Sequence, residues 1–154
     1  MKLNKYLKEL GLEWYDLPGV YDETLQKDEK MCDVDAADPR NKENEEGFCG
    51  REFFSLDYTL SLFIYSRLCY FREHIGPIAT PGCLTSLSAD SLSKEEREKA
   101  HEEAHKKWEE ILDKMVLAFR LQIEGFDEGY EGIQREQVRE GMQLFIEYYD
   151  ALWY

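Results

Sequence analysis

The sequence has no run of eighteen apolar residues, and none of its four cysteines stands in a CxxC pair. The first absence excludes a membrane-spanning helix. The opening MKLNKYLKELGLEW also lacks the apolar region and small-residue cleavage site of a secretory leader, so a soluble, cytoplasmic chain is expected. Cys32, Cys49, Cys69 and Cys83 are too few and too irregularly spaced for a disulfide framework. Cys69 falls within a helical pattern and reads as a small core hydrophobe. A zinc site built from Cys32, Cys49, Cys83 and His74 lacks the knuckle spacing that would support it.

Positive charge is scarce as well. Nineteen lysines and arginines stand against 33 acids, a formal charge of −14. That sign opposes direct binding to nucleic acid phosphates or an anionic membrane and favours a partner protein with a basic surface. There are only three histidines, and no Walker loop, GxGxxG or GxSxG occurs. No nucleophile has a base beside it, so no cofactor and no enzymatic activity is expected.

What is abundant is aromatic and acidic. Ten Tyr, eight Phe and three Trp supply the apolar area for a core in a chain of 154 residues, read as one domain over 1–154. The periodicity predicts an all-α fold: an irregular bundle of three main helices plus a short N-terminal one, with long irregular loops. Residues 3–11 carry Leu3, Tyr6, Leu7 and Leu10 on one side, with Gly11 as a stop. Residues 55–74 read as the central helix, capped by Ser55, ended by Gly76-Pro77 and packed through Leu56, Leu60, Phe63, Leu68 and Phe71. A second apolar set, Leu62, Tyr65 and Cys69, lies on its flank.

Ser93-Lys94-Glu95-Glu96 is a capping box and announces a helix to about Glu124. Its first half is charged and laced with pairs such as Glu95–Lys99, Glu102–Lys106 and Glu103–Lys107, so it projects into solvent. Its second half turns apolar from Trp108 to Ile123. The last helix spans about 134–152, where Gly141 allows close approach of a neighbour. Between 12 and 50 no period persists, and 22–46 holds ten acids against four bases: an acidic loop of the kind that carries partner contacts.

Three constellations bear on chemistry. His101-Glu102-Glu103-Ala104-His105 satisfies the H-E-x-x-H spacing of zinc hydrolases, in which two histidines one turn apart hold the metal and the glutamate activates water. Here it sits in an unbroken run of charge with Lys99, Lys106 and Lys107 nearby, which reads first as a solvated helix face; zinc hydrolysis through His101, Glu102 and His105 is the third reading. Asp33-Val-Asp35-Ala-Ala-Asp38 begins like an EF-hand but has Asp38 where glycine is required and Asn44 where glutamate is. Arg67, among Phe63, Ile64, Leu68 and Phe71, and Asp113, among Ile111, Leu112, Met115 and Val116, are charges in apolar faces, and a buried ion pair of Arg67 with Asp113 or Asp57 is expected. The alternative is a small anionic-ligand site on Arg67 with Tyr58 and Tyr65.

The segments FCGREFFSLDYTL (48–60), Arg67-Leu68, WEEILDKM (108–115) and QLFIEYYDALW (143–153) resemble a family of small phage- and prophage-encoded proteins without assigned activity, over roughly 47–154. The resemblance implies a viral accessory protein in a host bacterial cytosol. By analogy with such proteins, the expected function is to bind and inhibit a host protein, such as a nucleic-acid-binding defence effector. The acidic residues expected to meet that partner are Asp22, Glu23, Asp28, Glu29, Asp33, Asp35 and Asp38 of the loop, with Glu95, Glu98 and Glu102 of the third main segment's charged face.

Overall fold

The computed structural model describes residues 3–13, 16–17, 55–85, 93–125 and 133–153. Among these the chain is all-α: α1 (Lys5–Glu9), α2 (Leu56–His74), α3 (Lys94–Glu124) and α4 (Ile133–Glu147), with 3-10 turns at Pro77–Ala79 and Tyr149–Ala151 and no strand. None of these helices is long and apolar enough to cross a membrane. The contacts divide the chain into two compact units, Met1–Ser66 and Arg67–Tyr154, with the division inside α2.

In the first unit α1 starts on Asn4, whose Oδ1 accepts from the amides of Tyr6 and Leu7 at 3.1 and 3.3 Å. It ends at Gly11, whose φ of +77° lets the chain reverse so that the Leu12 amide returns to the Leu7 carbonyl at 3.2 Å. Tyr6, Leu7 and Leu17 are buried.

The α2 segment of this unit corrects the predicted packing face. Leu56, Leu60 and Phe63 are each 48% exposed, while Ser61, Leu62, Tyr65 and Ser66 are buried. The reason is local. Ser61 Oγ donates to the Asp57 carbonyl at 2.7 Å and Ser66 Oγ to the Leu62 carbonyl at 3.1 Å. Two hydroxyls satisfied by their own helix can be buried without an orphaned polar group. The flank set, Leu62 and Tyr65, is therefore the inner face.

In the second unit α3 is the organising element. Trp108, Leu112, Met115 and Ala118 have no exposed surface, and Ile111, Phe119, Leu121 and Ile123 are buried with them. The capping box forms as predicted: the Glu96 amide donates to Ser93 Oγ at 3.3 Å and the Ser93 amide to Glu96 Oε2 at 2.8 Å. The Ser93 amide first, and the Ser93 hydroxyl after it, hold the Glu96 carboxyl below the usual glutamate range. In the charged first half Lys94 pairs with Glu98 at 3.7 Å. The long side chains of Glu95–Lys99, Glu102–Lys106 and Glu103–Lys107 stay apart in solvent, where such pairs gain little.

The α3–α4 crossing is close because position 141 has no side chain. A Cβ there would collide with the Lys114 carbonyl and the Ala118 Cβ. Around it Lys114 Nζ meets Glu140 Oε1 at 2.6 Å, and Phe119 and Phe145 pack edge to face with centroids 5.1 Å apart.

Candidate functional site

One turn of α3 anchors the two walls of a cleft. The first wall, residues 79–83, follows directly from the 3-10 turn that ends α2; Thr80 Oγ1 donates to the Pro77 carbonyl at 2.9 Å and lies 3.1 Å from His105 Nδ1. Since the hydroxyl has one hydrogen, given to Pro77, the His105 Nδ1–H donates to Thr80. The second wall, 147–153, follows from the end of α4. There Tyr148 packs on the fully buried Trp108 with ring centroids 5.4 Å apart, and successive turn bonds carry the chain on to Trp153. His105 and Trp108 are three residues apart, so both clips rise from the same face of the helix.

The cleft between the walls has a volume of about 310 Å³, at the small end of the roughly 300–1,000 Å³ typical of ligand sites. That is room for one side chain or a small molecule. Its aromatic lining is Tyr148 and Trp153, and its charged groups are Glu147 and Asp150, both carboxylates. Neither is paired with a base among the described residues. The Tyr148 phenol is raised above its ordinary pKa, first by burial and then by the charge of Glu147, so it stays a neutral donor at physiological pH. The exposed thiol of Cys83 completes the first wall.

No protein family model, curated protein or solved structure matches this chain.

Arg67, Asp57 and Asp113 are all exposed, so the expected burial of these charges is not found, and Asp113 is paired with Arg72 at the surface. Arg72 Nε and Nη2 meet the two Asp113 oxygens at 2.8 and 3.3 Å, and Nη1 meets Glu109 Oε1 at 2.9 Å. Its guanidinium is raised above its ordinary pKa, first by the hydrogen bond to Asp113, with burial acting in the opposite sense. Leu68 and Phe71 of the predicted face are buried in the second unit, and Arg72, next to Phe71, is the arginine that reaches α3. Tyr65 is buried, Tyr58 half-buried and Arg67 exposed.

His101 is half-buried and Glu102 exposed. His105 is engaged, with Nδ1 on Thr80 and Nε2 4.0 Å from Glu109 Oε1. Among the described residues no three His, Cys, Asp or Glu side chains come together as metal ligands. His74 is at the end of α2, its ring stacked on Tyr70 and its Nδ1 2.7 Å from the Tyr70 carbonyl. Asp22, Glu23, Asp28, Glu29, Asp33, Asp35, Asp38, Cys32 and Cys49 lie outside the described residues.

Glu95, Glu98 and Glu102 are exposed on α3, but residues 94–107 hold five glutamates against five lysines and arginines. That face carries no net charge. From 108 to 154, by contrast, eleven acids stand against four bases, and from Gly141 to Trp153 there is no lysine or arginine at all.

Proposed function

We propose that this protein is a non-enzymatic acidic binding protein that occupies the basic surface of a partner protein. The observation that supports this reading is segregation of the acid excess. Charge spread evenly would serve solubility, whereas here the excess sits in 22–46 and 108–154, with a balanced stretch at 94–107 between them. The resemblance to phage-encoded proteins adds the choice of partner: a host protein with a cationic groove, of which a nuclease or other defence effector is the natural kind. An acidic surface seated there would imitate the phosphates the groove normally holds.

The test is capture from a bacterial lysate on the immobilised full chain at low and at high salt. Screening shortens from about 10 Å at 0.1 M to about 3 Å at 1 M ionic strength. A defined set of basic proteins should be retained in the first condition and released in the second. Retention of neutral or acidic proteins indifferent to salt would contradict the reading.

A further inference from the structure

The geometry points to a more specific role for the C-terminal cleft: the groove between 79–83 and 147–153 takes an arginine side chain of the basic partner, its guanidinium lying against Trp153 and Tyr148 and paired with Glu147 and Asp150. This rests on the reading of the protein as a binder of basic surfaces and gives that reading a location.

Three observations and one rule of cation chemistry carry it. The cleft has the volume for a single side chain rather than a helix or a large cofactor. Two aromatic residues, Tyr148 and Trp153, line the same space as two acids, Glu147 and Asp150, the combination that holds organic cations. A planar guanidinium can stack on a ring and meet a carboxylate with two N–H groups at once, which an ammonium cannot. Both walls are pinned to α3, through Thr80 on His105 and Tyr148 on Trp108, so the site exists before the ligand arrives and little ordering is required of it.

The rim also suits a protein rather than a free small molecule. Ile78 is 93% exposed beside the first wall, and Ile146 and Tyr149 are exposed beside the second. Apolar side chains around a charged centre would be covered by the partner's surface next to the inserted arginine.

Cys83 provides the readout. Nona-arginine is titrated against the full-length chain while iodoacetamide alkylation of each cysteine is followed by peptide mapping. Bound peptide is expected to slow alkylation of Cys83 about tenfold. Trp153→Ala, which changes no charge and removes an exposed ring, is expected to weaken binding about fivefold. The pair Glu147→Gln and Asp150→Asn should weaken it at least as much, and the pair Glu95→Gln and Glu98→Gln, equal in charge lost, should not. Undiminished alkylation of Cys83 under saturating peptide, or equal losses from the two pairs of charge variants, would overturn the cleft and leave the broader reading standing. Failure of the unaltered chain to bind nona-arginine would overturn both.

Discussion

Where α3 and α4 cross, the space a Cβ would fill at position 141 already belongs to the Lys114 carbonyl and the Ala118 Cβ. The carbonyl is held in a helix and cannot step aside, so Gly141→Ala must push the helices apart. Destabilisation of about 1–3 kcal/mol is expected, read by denaturant unfolding, despite the better helix propensity of alanine. An unchanged or raised midpoint would show that the crossing is looser than described. Other residues were less legible. Gly141 announces itself because a glycine in the middle of an amphipathic helix has few other uses. Nothing distinguishes Arg67 from Arg72 until the packing of α2 is known, and in its first half two serines whose hydroxyls bond within their own helix lie on the buried side. The Arg72 cluster is partly exposed, with 29% of the arginine and 59% of the Asp113 side chain accessible, so it contributes about 1 kcal/mol at most.

Among the elements, α3 could be read almost whole because its start is a local signal and its inner face strongly periodic. Ser93 and Glu96 are three residues apart, and Trp108, Ile111, Leu112 and Met115 follow the helical repeat. The cap also has a pH consequence. The Glu96 carboxyl is depressed in the folded state, so the stability it contributes is present above the usual glutamate range and is lost as pH falls through the folded value. Acidification below about pH 4 should move the backbone chemical shifts of 94–99 toward coil while those of 108–121 hold. Ser93→Ala should produce the same local fraying already at neutral pH. A simultaneous change across the whole helix would contradict a purely local cap. The cleft walls were not legible in this way, because 79–83 and 147–153 are far apart in sequence and are brought together by their separate attachments to His105 and Trp108.

For the whole molecule the decisive property is where the acids lie. A charge of −14 is visible in the composition, but its meaning depends on the balanced stretch at 94–107 and on the absence of bases from Gly141 to Trp153. Binding driven by that distribution should respond to salt as exposed charge does and should depend more on the C-terminal acids than on the charged face of α3. The most direct measurement is calorimetric titration of an arginine-rich peptide into the full chain over a series of salt concentrations. Saturable binding whose logarithmic affinity falls steadily as salt rises is the predicted result; no binding, or an affinity indifferent to salt, would contradict it.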